Sequence, residues 1–211
     1  MTLNAQEKLN AKYLGDFKTS AYALGHEYAK YWLDGKVLTE KAISRMGEAQ
    51  LSSDLLVALI DAVQTNKNVE KLYKAYEKYD QVVPEVQTAK EQFHRVMETV
   101  GAIYSSQELS TTNWARPHWF YTLFTSVGHA LFDLGGLAGA PRPPLTQADI
   151  SSWRGALDEI SALYDKYTED TDEDVPASIA RFINYSQRRT TDTEARIERA
   201  RYVLVTVENV A

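Results

Sequence analysis

The chain has 211 residues, a formal net charge of −6 and no cysteine. Disulfides, thiol catalysis and thiolate metal sites are therefore excluded, and cysteine-free composition fits a reducing cytosol. The acidic balance opposes a general role in gripping nucleic acid, because phosphate binding needs a basic surface.

Helical spacing runs through nearly the whole chain. Asn4 to Leu14 predicts a short helix, and Phe17 to Leu33 a longer one that Gly35 ends. The apolar face of the longer helix is Phe17, Ala21, Leu24, Tyr28, Tyr31 and Trp32. Glu40 to Met46 predicts a short helical turn. The next stripe is Leu51, Leu55, Leu56, Leu59, Ile60 and Val63, punctuated by Asn66 to Asn68. Val69, Leu72, Tyr73, Tyr76 and Tyr79 form another. Pro84 and Pro117 each sit where a helix can begin, since proline is preorganised for the first turn. Phe93, Val96, Met97, Val100 and Ile103 follow the first proline; Phe120, Leu123, Phe124, Val127, Leu131 and Leu134 follow the second. Ser110 to Asn113 is a polar break between them.

Gly135 to Pro144 is the strongest linker signal. Residues 135–145 are the one place where subdomains could divide, but the helices on both sides carry unmatched apolar faces. A single helical domain over 1–211 is therefore expected. Beyond the linker come the stripe Ile150, Trp153, Leu157, Ile160, Tyr164 and Tyr167, an acidic loop at Asp170 to Pro176, and a helix at Ile179 to Tyr185. Thr191 and Glu194 have capping-box spacing for a last helix buried along Ile197, Ala200, Leu204 and Val207. No segment alternates with period two, and no fixed-period repeat is present. The expected fold is all-α, an irregular multi-helix bundle of about ten helices. No apolar run reaches the ~20 residues of a membrane span. No basic leader precedes an apolar stretch, so a cytoplasmic location is expected.

Signals for chemistry are weak. The four histidines, His26, His94, His118 and His129, belong to no zinc-binding pattern. Glu91 and His94 share a helix face, but a di-iron bundle needs two such pairs and two further carboxylates, so an exposed ion pair is expected. Asp170, Asp172 and Asp174 imitate the start of a calcium loop, yet Val175 and Arg181 stand where glycine and the bidentate glutamate belong. Gly135-Gly136 lacks the ending of a phosphate loop. The one cluster with binding potential is Arg181, Arg188, Arg189, Arg196, Arg199 and Arg201. Packing and ion pairing is its first reading and phosphate contact its second.

Several stretches carry a resemblance. They are Leu3-Asn4, Gln6-Glu7 and Asn10-Ala11; Arg45-Met46 followed by Leu51 and Leu55-Leu56; Leu72-Tyr73 with Tyr76; Phe93, Met97, Val100 and Ile103; Arg116-Pro117 leading to Trp119-Phe120 and Leu123-Phe124; and Thr190-Thr191-Asp192 with Arg196 and Arg199. Together they resemble the helical region of GmrSD-type proteins, which restrict foreign DNA in bacterial antiviral defence. Members of that family carry an N-terminal ParB-like nuclease or NTPase domain with an Asp-Gly-Gln-Gln-Arg motif, and many add an HNH nuclease. Neither motif occurs here, so the resemblance implies no catalytic residue, cofactor or metal. It implies a non-catalytic module that docks against a ParB-like nuclease partner and meets DNA through it. Leu3, Gln6, Glu7 and Asn10 are the expected docking residues, because that segment adjoins the nuclease half in the family. The alternative is direct DNA contact by Arg188, Arg189, Arg196 and Arg199.

Overall fold

The computed structural model describes residues 3–13, 15–65, 83–169 and 175–210. The expected helix around Val69 to Tyr79 and the calcium-like Asp170, Asp172 and Asp174 lie outside the described residues. Within them the chain is all-α, with no strand. The helices are α1 Ala5–Lys12, α2 Asp16–Asp34, α3 Glu40–Ile43, α4 Gly47–Ile60, α5 Pro84–Ile103, α6 Ser106–Leu109, α7 Pro117–Phe132, α8 Ile150–Glu169, α9 Ala177–Gln187 and α10 Thr193–Glu208. A 3-10 turn, Asn113–Ala115, leads into α7. Among the described residues no helix is long and apolar enough to cross a membrane.

Local chemistry explains most of the starts. Asn4 and Glu7 close a capping box on α1, and Ser105 and Glu108 close another on α6, each satisfying orphan N–H groups of the first turn. Pro84 and Pro117 occupy the first positions of α5 and α7. The last helix departs from expectation. It begins at Thr193 behind Asp192, and Glu194 accepts from the Tyr185 hydroxyl at 2.6 Å instead of closing a box with Thr191.

Helix α7 is the axis of the molecule. Every residue from Trp119 to His129 is buried, as in a helix surrounded on all sides. Helices α4, α5 and α10 pack against it, and α2 lies on α4 and α5. The α2–α4 crossing is tight: a Cβ at Gly25 would stand 3.0 Å from the Glu48 carbonyl carbon, so a side chain there would force the two helices apart by a few tenths of an ångström. At the other end, the Trp119 indole meets Trp114, Tyr164 and Phe182 with centroids 4.8, 5.0 and 4.9 Å away and rings near perpendicular. Edge-to-face packing of this kind adds to the burial of the rings themselves.

The glycine-proline segment is fastened to the body. Val63 N–H donates to the Gly135 carbonyl at 3.0 Å, and a Cβ at Gly135 would come within 2.5 Å of Asp61 O. Leu137 is fully buried, and the Trp153 indole N–H donates to the Pro144 carbonyl at 3.0 Å. The apolar cluster runs continuously from α2 through α7 to α10, with Leu137 inside it. Trp119→Ala removes the shared edge of four rings and should cost about 3–5 kcal/mol in chemical denaturation. Because the core is continuous, the wild-type chain should unfold in one transition when tryptophan fluorescence and far-ultraviolet dichroism are compared.

Candidate functional site

A cleft of about 370 Å³ opens where three helices begin. Gly47, the first residue of α4, lines it, with Gln50 one turn on; Pro117 and His118, the first two residues of α7, form another side. Thr190 and Thr191, just ahead of α10, complete the rim. The starts of α4 and α7 have no side-chain cap, since Met46 and Arg116 stand at their cap positions. Leu38, Ala42 and Leu51 supply an apolar wall.

The cleft also reaches a buried ion pair. The Arg196 guanidinium donates to both Asp54 oxygens, at 2.8 Å from Nη1 and 2.6 Å from Nη2, and Nη1 also donates to the Gln64 carbonyl at 2.6 Å. Its central carbon lies 3.6 Å above the Tyr121 ring centroid, a cation–π contact in a desolvated setting. Burial opposes the charge of Arg196, yet Tyr121 and Asp54 hold its pKa above the ordinary arginine value. Burial pushes the Tyr121 phenol up to about 12, against the pull of Arg196. That hydroxyl lies beside the guanidinium and the Gln64 backbone N–H, both of which favour its charged form.

Arg199 sits behind the cleft wall and is fully buried. Its Nε donates to Thr122 Oγ1 at 2.9 Å, Nη1 to Tyr185 O at 2.7 Å, and Nη2 to Thr190 O at 2.8 Å and His118 O at 3.3 Å. It thereby ties α7, the end of α9 and the approach to α10. Burial, then repulsion from Arg196, lowers its pKa to about 9. His118 is lowered to about 4 by burial first and Arg199 second. Its Nε2 lies 3.0 Å from the Ser186 carbonyl, which can only accept, so Nε2 carries the proton of the neutral ring.

The residues expected from sequence to bind DNA are therefore divided. Arg188 and Arg189 are exposed, and Arg189 pairs with Asp192 at 2.6 Å. Arg196 and Arg199 turn inward, so they are corrected from phosphate ligands to internal fasteners. At Arg199 four internal oxygens take the donors; at Arg196 both terminal nitrogens are taken by Asp54 and the Gln64 carbonyl. The arginine at 181 pairs with Glu198 at 3.2 Å, and Arg201 approaches the same carboxylate at 3.4 Å.

The N-terminal docking residues form a second corner. Asn4 Nδ2 donates to the Arg45 carbonyl at 2.9 Å, and Arg45 grips Glu7 from Nε at 2.7 Å and Nη2 at 3.0 Å. The bond from Arg45, then one from the Asn4 backbone, lowers the Glu7 pKa. Asn10 Nδ2 approaches Met46 Sδ at 3.6 Å, and Met46 takes a left-handed backbone with φ of 62° to turn the chain into α4. Gln6 and Leu9 bury the inner face of α1, and Tyr13 is buried just past its end. Of the four expected docking residues, only Leu3 projects freely, 54% exposed. His94 bonds the Tyr28 hydroxyl at 2.9 Å and lies 3.5 Å from Glu27, so its carboxylate neighbour comes from α2 instead of Glu91. Among the described residues no group of three or more metal-ligating side chains is placed to hold an ion.

The sequence reading missed Asp54, His118 and Tyr121 as site residues. Asp54 offered a signal: it is the lone charged residue between Leu51 and Ile60. Comparison with family models, curated proteins and solved structures finds no match to this chain.

Two outcomes follow from the buried charges. Asp54→Asn leaves Arg196 without its counter-charge and should cost about 3–5 kcal/mol in chemical denaturation at neutral pH. For His118 the folded pKa lies below the ordinary 6.5, so the unfolded chain binds the extra proton. Its contribution is complete above pH 6.5 and is lost as pH falls towards about 4. His118→Gln should flatten the fall in denaturation midpoint across that window.

Proposed function

We propose that this chain is a non-catalytic, cytoplasmic helical module of a GmrSD-type restriction and antiviral defence system. It docks against a ParB-like nuclease partner and meets DNA through that partner. One observation carries this reading. Two of the stretches that resemble the family, Leu3 to Ala11 and Arg45-Met46, are about 40 residues apart in sequence yet interlock through Asn4, Glu7 and Asn10. Glu7 and Asn10 reach the Arg45 and Met46 side chains directly, and Asn4 reaches the Arg45 carbonyl.

The interlock also refines the docking surface. Glu7 and Asn10 set the position of α1 on the body, and Gln6 lies inside, so these three shape the platform. Leu3 supplies an exposed apolar contact at its edge. Direct DNA binding by the four arginines is not carried forward, because Arg196 and Arg199 direct their donors into the fold.

A purified ParB-like protein bearing the Asp-Gly-Gln-Gln-Arg motif, from a neighbouring gene, should co-elute with this chain in size-exclusion chromatography. Leu3→Asp should weaken the complex by about 2 kcal/mol, the scale of one leucine buried on association. Joint replacement of Arg188 and Arg189 by alanine should leave it intact. Absence of a complex with every such neighbour, at concentrations where both proteins are folded, defeats the proposal.

A further inference from the structure

We propose that the outward face of α10 is a self-association surface, on which a second copy of this chain lays its own α10, antiparallel, about a two-fold axis. Helices α7, α8 and α9 pack against α10 and bury its inner side from Ala195 to Val207. The side turned to solvent presents Arg201, Val205 and Glu208, all exposed. Spacings of four and three residues set them in one line along about 10 Å of helix.

A single exposed valine is ordinary on a protein surface. Val205, 47% exposed, differs in its setting, with Arg201 one turn before it and Glu208 one turn after. Glu208 has no cation partner among the described residues. Arg201 is the second arginine on one carboxylate: Arg181 Nη2 meets Glu198 at 3.2 Å, and Arg201 Nη1 approaches it at 3.4 Å. The line therefore has a positive end and a negative end, with a patch of carbon between them.

That pattern is complementary to its own reverse. Two such helices related by a two-fold axis near Val205 bring Arg201 of one copy opposite Glu208 of the other, twice over, with both valines between. A parallel pairing sets like charges together, and a uniformly basic or acidic partner leaves one end unmatched. Closed two-fold pairs are the commonest assemblies of identical chains. The ground beside the line is low. Arg201 Nη2 lies 3.4 Å from the Ala138 carbonyl, so the loop at Ala138 and Gly139 borders this face. Both residues are exposed, and a Cβ at Gly139 would meet nothing within 4 Å, which leaves room for a second helix. The face shares no residue with the α1 corner, so this inference and the docking reading fail separately.

Sedimentation equilibrium of the full chain at concentrations up to about 1 mM tests it, because so small a contact belongs at the weak end of protein interfaces. The average mass should rise from monomer towards dimer with concentration, and less so at high salt. Arg201→Glu and Glu208→Arg, each alone, place like charges opposite one another and should weaken self-association at least about tenfold. Mixed in equal amounts, these two variants regain both opposite-charge contacts and should associate with each other as the wild type does with itself. Val205→Asp should abolish the dimer at an unchanged melting temperature. The proposal is overturned if the wild type stays monomeric at the highest concentration, if either charge reversal self-associates as the wild type does, or if the mixture stays monomeric. Dimerisation of Val205→Asp overturns it too, since another face would then be responsible.

Discussion

The stacked ion pair of Arg196 and Asp54 is the contact on which the arrangement of the helices depends. It joins α10 to α4 across 142 residues of sequence, and the Tyr121 ring of the central α7 lies under the guanidinium. A buried pair of this kind gains little over a well-packed apolar substitute. Its consequence is geometric. Two hydrogen bonds to one carboxylate and a ring beneath the plane allow one register of α10 against α4 and α7. Arg199, one turn along, repeats the device with neutral oxygens and sets the approach to α10.

That device also explains why the cleft exists. Helices α4, α7 and α10 are brought together by arginines that point inward, so their starts converge instead of splaying. Convergent helix starts leave N–H groups and positive dipole ends around a shared space. The bulk of α7 is sealed by aromatic and aliphatic side chains, and the cleft opens at its start, where Pro117 is exposed and His118 is partly buried. The N-terminal corner uses the same logic on a smaller scale. Arg45 reaches one carboxylate, Glu7, with two nitrogens, and a short helix that could not persist alone is held in place.

The placement of charge was the part of the site that residue patterns could not resolve. The run from Arg181 to Arg201 reads as one basic cluster. In space it separates into Arg181, Arg188, Arg189 and Arg201 at the surface and Arg196 and Arg199 inside. Periodicity assigns the inner face of α10 to its aliphatic residues, and Ala200, Leu204 and Val207 do lie there. The inner face nevertheless includes Arg196 and Arg199, while Ile197 is only partly buried. A guanidinium can occupy a core position once its donors are satisfied, and apolar spacing has no means of announcing the distant oxygens that satisfy them. Asp54 within an aliphatic stripe hinted at a partner but not at which arginine.

Local interactions alone determined the all-α class, the proline starts of α5 and α7, the Gly35 end of α2 and the inward faces of α2, α5 and α8. Each of these depends on residues within a few positions of one another, through helical periodicity and backbone stereochemistry. Tertiary structure decided the rest. It set the start of α10 at Thr193, tucked the glycine-proline segment against Asp61 and Val63, turned Gln6 and Glu7 from a free surface to a locked corner, and drew three helix starts around one cleft. Those outcomes required contacts between residues tens of positions apart, and only the folded chain supplies the distances at which their charges and hydrogen bonds act.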